Sequence, residues 1–138
     1  MKKLFIITAF LLFAGIAFGQ SVKSGVILGL HEVTVTLDPD VTMNQYLEFM
    51  NNKFKPEFDK MFPGLKIFVL KGTRGENENG IALLYWVDSE ELRDKLFPNN
   101  SDISEEFTKA YEKMSKTVEE LGAMEVSFST EYTDWKVL

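Results

Sequence analysis

Residues 26–40, VILGLHEVTVTLDPD, decide the fold, because they form the first segment with the pattern of a strand that can enter a core. Their second half alternates apolar and polar side chains, with Val33 and Val35 on one face, which is typical of a half-buried β-strand. Asp38-Pro39-Asp40 then ends the strand, since proline lacks the N–H that a sheet ladder needs. We therefore predict strand 1 over residues 26–37.

Turn and capping signals divide the rest of the chain into alternating helices and strands. Capping boxes, in which a Thr or Asp is followed three residues later by Glu or Gln, are found at Thr42, Asp88 and Asp102. Gly122 is the expected end of the last helix. The predicted elements are a helix over 42–62 kinked at Pro56, strand 2 over 65–71, strand 3 over 81–87, helices over 88–97 and 102–121, and strand 4 over 124–132. This order predicts an α+β, ferredoxin-like split βαβ fold, with a four-stranded antiparallel sheet and helices on one face.

The first 19 residues have the pattern of a signal peptide. A short basic start is followed by an apolar run of about 15 residues, fewer than the ~20 that span a bilayer. Ala17 and Gly19 are small residues that predict cleavage after Gly19, and no cysteine follows to carry a lipid anchor. We expect a signal peptide over 1–19, a leader over 20–25 and one domain over 26–138. The expected location is periplasmic or secreted, without stable membrane insertion after cleavage.

The chain is acidic and contains no cysteine. Removing Lys2 and Lys3 with the signal peptide leaves 13 basic residues against 21 acidic ones, a formal charge of −8. Such a charge repels phosphate backbones, so nucleic acid is not expected as a partner. Without disulfides, an exported domain depends on its packed core, for which the 8 Phe that follow the predicted signal peptide, of 12 in the full chain, and 2 Trp provide material.

Three features of the sequence carry a resemblance to a known superfamily. His31 precedes the alternating apolar positions of strand 1, Pro63-Gly64 precedes strand 2, and residues 86–92, WVDSEEL, form an acidic turn into a helix. In these features the chain resembles the dimeric α+β barrel superfamily and is most similar to the stress-responsive A/B barrel family. The resemblance implies that two copies close the bare faces of their sheets into a barrel, so a homodimer is the expected partner arrangement.

Alternation assigns side chains to the two faces of the predicted sheet. Val33, Val35 and Leu37 are assigned to the helices, and Glu32, Thr34 and Thr36 to the barrel interior. Extended to the other strands, the assignment places under the helices Phe68, Leu70, Leu84, Trp86, Val126 and Phe128. It places in the barrel Ile67, Val69, Lys71, Leu83, Tyr85, Ser127, Ser129 and Glu131. The candidate ligand-binding residues are His31, Glu32, Thr34, Thr36, Lys71, Tyr85, Ser127, Ser129 and Glu131. Such a lining is compatible with a small-molecule site, and equally with a dimer interface, which is the simpler interpretation.

His31 is the sharpest single candidate for chemistry. It could act as a base or bind heme or a metal ion, but a metal site needs several ligands and a base needs an orienting partner. A partly buried histidine at a strand start, hydrogen-bonded to the backbone, is the favoured interpretation. No metal site and no cofactor are therefore predicted.

A second candidate group combines Glu32, Tyr85 and Glu131 as an acid/base set inside the barrel, with salt bridging to Lys71 as the favoured alternative. We therefore expect an exported, homodimeric, non-catalytic protein that binds a small molecule or serves a structural role. The alternative is a barrel-site enzyme of the monooxygenase or cyclase type acting on a small apolar or aromatic substrate.

Overall fold

The structure, a computed structural model, describes residues 22–99 and 102–138. The predicted signal peptide, residues 1–19, and the start of the predicted leader lie outside the described residues. No helix within the described ranges is long and apolar enough to cross a membrane.

Four antiparallel strands form a sheet, as predicted. They are β1 (Ile27–Leu37), β2 (Leu65–Lys71), β3 (Ile81–Val87) and β4 (Glu125–Lys136). Their spatial order is β2-β3-β1-β4, which places the first and third strands in the middle. This order and the element sequence confirm the ferredoxin-like α+β fold. β4 is longer than predicted because its pairing with β1 continues to Lys136.

The α-helices of the described chain cover one face of this sheet. They are α1 (Met43–Phe49), α2 (Lys55–Phe58), α3 (Glu90–Leu96), α4 (Glu105–Glu112) and α5 (Ser115–Met124). The buried core lies between them and the sheet, and its largest fully buried side chains are Tyr46, Phe58, Met50, Leu65, Ile67 and Leu96.

The first helical region is interrupted where a kink was predicted. A π-helical segment, Met50–Phe54, joins α1 to α2, and the N–H of Lys55 bonds to the carbonyl of Met50. Pro56 follows at the start of α2 and has no N–H to continue the α-helical ladder. The wider turn ahead of Pro56 keeps Met50, Phe54 and Phe58 buried on the same side of the helix.

Several predicted helix ends were wrong. The capping box of Thr42 with Gln45 is present, but α3 is capped by Ser89 rather than Asp88, and α4 by Ser104 rather than Asp102. Serine hydroxyls accept hydrogen bonds from backbone N–H groups three residues later, as aspartate carboxylates do. The sequence motif therefore could not show which of the neighbouring residues caps each helix. The long helix is also broken between α4 and α5, and it passes Gly122 without ending there.

The face assignment was correct for β1 and wrong for β2 and β3. Leu65, Ile67 and Leu83 are at most 5% exposed and pack in the core, and Val69 and Tyr85 pack against it. The opposite set therefore lies on the open face, and it comprises Phe68, Leu70, Leu84 and Trp86. Both strands are apolar on both faces, so alternation alone could not choose the phase.

On β4, Phe128 pairs with Val35 and shares its helix-side face, as predicted, although it is 45% exposed. Val126 is 65% exposed at the point where the register between β1 and β4 shifts, so its predicted burial was wrong. An extra residue in one strand re-aims its side chain, and no local pattern in the sequence marks this position.

Candidate functional site

A cavity of about 550 Å³ lies between the sheet and the helices. Its volume falls within the range of small-molecule pockets, and its walls are largely aromatic. The ring-bearing residues that line it are Phe54, Phe58, Phe97, Phe107, Tyr85, Tyr111, Tyr132 and His31. Phe54 and Phe58 come from the π-helical segment and α2, so the turn before Pro56 helps to place two walls of the cavity.

His31 lies on the sheet side of this cavity, in contact with two tyrosines. The rings of His31 and Tyr132 stack with centroids 4.9 Å apart and 13° between their planes. The ring of Tyr85 is tilted against His31 with centroids 4.6 Å apart. These contacts follow from register, because Tyr132 is the cross-strand partner of His31 on β4. Burial lowers the pKa of His31 below its usual 6.5, and Asp134 partly opposes the shift. The imidazole is therefore neutral at pH 7.

Gly29 makes room for a carboxylate beside the imidazole. A β-carbon at Gly29 would stand 2.9 Å from Oδ1 of Asp134 and 3.6 Å from Nε2 of His31. The other oxygen of Asp134, Oδ2, accepts a hydrogen bond of 2.8 Å from Nη1 of Arg93 on α3. The glycine, the carboxylate and the guanidinium together connect strands β1 and β4 to α3 at one end of the cavity.

Tyr85 is partly buried and lines the cavity. Burial and the nearby Tyr111 raise the pKa of Tyr85 to about 12, so it stays protonated at physiological pH. Its hydroxyl makes no hydrogen bond within residues 22–99 and 102–138, although it can both donate and accept one. A ligand in the cavity would supply a partner for this group.

The structure separates the nine predicted site residues onto two faces of the sheet. His31, Lys71 and Tyr85 lie on the helix side, so their predicted place in the barrel was wrong. His31 and Tyr85 meet in the cavity, whereas Lys71 is exposed at the far end of β2. The remaining six lie on the open face: Glu32, Thr34, Thr36, Ser127, Ser129 and Glu131.

The open-face group forms a second, polar depression of about 400 Å³, lined by Glu32, Thr34, Ser129, Thr130 and Glu131. Glu32 pairs directly across the strands with Glu131, and neither forms a salt bridge with another described residue. The predicted acid/base set of Glu32, Tyr85 and Glu131 is not assembled, because Tyr85 lies on the opposite face. Within the described ranges, no group of three or more His, Asp or Glu side chains is arranged to hold a metal ion.

Sequence reasoning missed most of the cavity. The phenylalanine stripes of the helices were interpreted as core, and Phe54, Phe58 and Phe107 do belong to the core cluster as well. Tyr132 and Asp134 lie on the same face of the sheet as His31. This follows only from the pairing register of β1 and β4, two strands that are distant in sequence. His31 was the one feature of the sequence that could have pointed to the cavity, because a titratable residue at a helix-facing position indicates a place where the core is not filled by apolar side chains.

No protein family matches this chain, and no curated protein matches it. One similar solved structure is described as a "dimeric protein of unknown function and ferredoxin-like fold" from Bacteroides fragilis NCTC 9343. It is 18% identical, with a TM-score of 0.37, and the match covers 79% of this chain and 95% of the other. Similarity at this level carries no argument about this protein. The ferredoxin-like assignment follows from the order and pairing of its own strands.

Proposed function

We propose that this chain is an exported, homodimeric protein that binds a small, largely apolar molecule between its sheet and its helices. The observation that carries the proposal is the cavity of about 550 Å³, whose walls are largely aromatic. A core is normally filled to high density, so a space of this size walled by rings favours a ligand over simple packing. The site lies on the opposite side of the sheet from the predicted barrel interior.

The uncharged fluorescent probe N-phenyl-1-naphthylamine tests this function, because its emission rises in apolar surroundings. Saturable binding at one probe per chain is expected. Ile103 lines the cavity and is 56% exposed, so Ile103→Trp should obstruct the entrance and weaken binding. Met43→Trp is the matched control, since Met43 is 40% exposed on α1 and does not line the cavity. Equal probe affinity in both variants would contradict the proposal.

The homodimer is supported by the open face of the sheet. One half of that face is apolar: Leu28 pairs with both Trp86 and Trp135, and Leu30 pairs with Leu84. Phe68 extends this surface onto β2. Trp135 is 60% exposed and Phe68 is 36% exposed, and contiguous apolar surfaces of this kind are usual where proteins associate. We name this apolar half of the open face the tryptophan face.

Export is supported by the basic start, the apolar run and the small residues before Gln20 in the sequence. The N-terminal sequence of protein recovered from outside the cytoplasm of a secreting bacterial host tests it. A mature chain beginning at Gln20 is the expected result, and an intact Met1 would contradict it.

A catalytic role remains a second candidate because the neutral imidazole of His31 and the protonated hydroxyl of Tyr85 meet in the cavity. An enzyme of the monooxygenase or cyclase type would use these groups to move a proton on a small aromatic substrate. Oxygen consumption and absorbance changes with a panel of aromatic substrates test this role. Turnover abolished by both His31→Ala and Tyr85→Phe would support it, and turnover unchanged in both would exclude it.

A further inference from the structure

We propose that the cavity is selective for an organic cation, that is, a molecule with an apolar body and one amine or quaternary ammonium group. The inference rests on the proposed binding function and specifies its ligand class. It follows from the charges, the rings and the hydrogen-bond acceptors that line the cavity.

Among the described residues that line the cavity, no cation is left free for an anionic ligand. Arg93 is the lining residue with a permanent positive charge, against the three carboxylates of Asp94, Asp102 and Asp134. The guanidinium is already engaged, at 2.5 Å from Asp94 and 2.8 Å from Asp134. Burial lowers the pKa of His31 and so favours its neutral form. An anion entering this site would therefore meet an excess of negative charge, which a cation would relieve.

The walls favour the same ligand class. The negative faces of aromatic rings attract ammonium groups, by about 0.5–1 kcal/mol in exposed sites and more where water is excluded. Seven phenylalanine and tyrosine rings line this cavity, so an ammonium group has aromatic contacts available along with its apolar body. A carboxylate or phosphate would be repelled by the same ring faces.

Two residues of the lining carry oxygen atoms that can accept a hydrogen bond from an ammonium group, Asp134 and Tyr85. Oδ1 of Asp134 points toward Gly29 while Oδ2 holds Arg93, which fixes the orientation of the carboxylate. Tyr85 adds a second oxygen: its Cβ lies 3.6 Å from where a β-carbon at Gly29 would stand, and its hydroxyl interacts electrostatically with Tyr111. Both oxygens accept hydrogen bonds, and bonds from a charged donor are the stronger kind. The acidity of the whole chain, with a formal charge of −6, adds attraction for cations at longer range.

A set of three probes that share a phenylethyl body isolates the effect of charge: 2-phenylethylammonium, 2-phenylethanol and 3-phenylpropanoate. Each competes with N-phenyl-1-naphthylamine for the wild-type protein at neutral pH. We expect the ammonium to displace the probe at a roughly tenfold lower concentration than the propanoate, with the alcohol between them. Raising the salt to about 0.5 M should narrow this difference, because salt screens charges near the surface.

Two variants locate the source of the preference. Asp134→Asn should reduce the preference for the ammonium several-fold, and the double variant Asp94→Asn/Asp102→Asn applies the same test to the other two carboxylates of the lining. Asp40→Asn is the matched control, since Asp40 is exposed in the turn after β1 and does not line the cavity. If both cavity variants still prefer the ammonium to the propanoate as strongly as the wild type does, the carboxylates are not the source of the preference.

The outcomes separate this proposal from the binding function on which it rests. Equal displacement by all three probes, or preference for the propanoate, would overturn cation selectivity while leaving the cavity a binding site. The ammonium is also titrated directly while the proton resonances of the His31 imidazole are followed. If the ammonium leaves the His31 resonances unchanged, the cation proposal is wrong, whether or not N-phenyl-1-naphthylamine binds. If N-phenyl-1-naphthylamine does not bind either, the proposed binding function is wrong as well.

Discussion

Tyr46→Phe should destabilise the protein more at neutral pH than in acid. Tyr46 is 1% exposed on α1, and its hydroxyl donates a hydrogen bond of 2.9 Å to Oε1 of Glu125, the first residue of β4. This bond connects the first helix to an edge strand of the sheet, 79 residues away in sequence. Its strength depends on the charge of Glu125, which makes the effect of the substitution sensitive to pH.

The direction of the pH effect follows from the pKa of Glu125. Burial raises that pKa above its ordinary 4.5, and the bond from Tyr46 opposes the rise. The folded protein therefore holds the Glu125 proton more tightly than the unfolded chain, so stability falls as the pH rises through the window just above 4.5. Removing the hydroxyl lets the pKa of Glu125 rise further. The pH range over which stability falls becomes wider, and the total loss of stability above that range becomes larger.

The magnitude follows from the charge of the acceptor. A hydrogen bond to a charged group contributes about 1.5–3 kcal/mol, and one between neutral groups about 0.5–1.5 kcal/mol. Because Glu125 is partly exposed, we take the lower end of each range. Tyr46→Phe should then cost about 1.5 kcal/mol at neutral pH and about 0.5 kcal/mol near pH 3.5. A difference of about 1 kcal/mol corresponds to a shift in Tm of roughly 4–8 °C in a small domain.

Urea unfolding of wild type and Tyr46→Phe at the two pH values measures these costs. The same substitution in a Glu125→Gln background is the control, because the glutamine does not titrate and the double-mutant cycle isolates the pair. The cost should become independent of pH in that background. An equal cost at both pH values in the wild-type background, or a pH dependence that persists in the Glu125→Gln background, would refute the reasoning.

Three further predictions concern the cavity and the tryptophan face. Gly29→Ala should raise about tenfold the concentration of 2-phenylethylammonium that displaces N-phenyl-1-naphthylamine, because the new methyl group moves the carboxylate of Asp134; an unchanged concentration would contradict the geometry. Leu84→Glu should convert the proposed dimer to a monomer in sedimentation velocity, because it places a charge in the tryptophan face, whereas Met43→Glu on α1 should leave that dimer intact. The pKa of His31, followed by NMR, should lie below 6.5 and fall further in Asp134→Asn, and a rise would show that the carboxylate does not act on the imidazole. Since this pKa is depressed in the folded state, the contribution of the neutral histidine to stability should be lost as the pH falls below 6.5.

The elements of the fold were predictable because each carries a local signal. The proline after β1, the capping box at Thr42 and the Pro63-Gly64 turn are short-range features that act the same way in most contexts. The predicted strands agree with the observed ones to within a residue at most ends, and the exception is the C-terminal end of β4. That end is held by pairing with β1, which is a long-range interaction.

The position of the site was not predictable because it depends on the phase of β2 and β3. In β3 the sequence IALLYWV is apolar at every position, so neither face is marked. The structure places Leu83 and Tyr85 inward and Leu84 and Trp86 outward, which exchanges the two faces relative to the prediction. This exchange has two consequences: the tyrosine joins His31 in the cavity, and the open face gains the large apolar side chains that a dimer interface needs.

The most direct test of the account uses the fact that the chain has one histidine and two tryptophans on opposite faces of its sheet. His31 lines the cavity, whereas Trp86 and Trp135 lie on the tryptophan face. NMR spectra of tag-free protein are recorded during a titration with N-phenyl-1-naphthylamine, following the imidazole protons and the two indole N–H signals. Binding between the sheet and the helices should shift the His31 signals and give nuclear Overhauser contacts from the probe to this ring, with the indole signals unchanged. Movement of the indole signals while His31 stays unchanged would place the ligand on the open face and contradict the central claim.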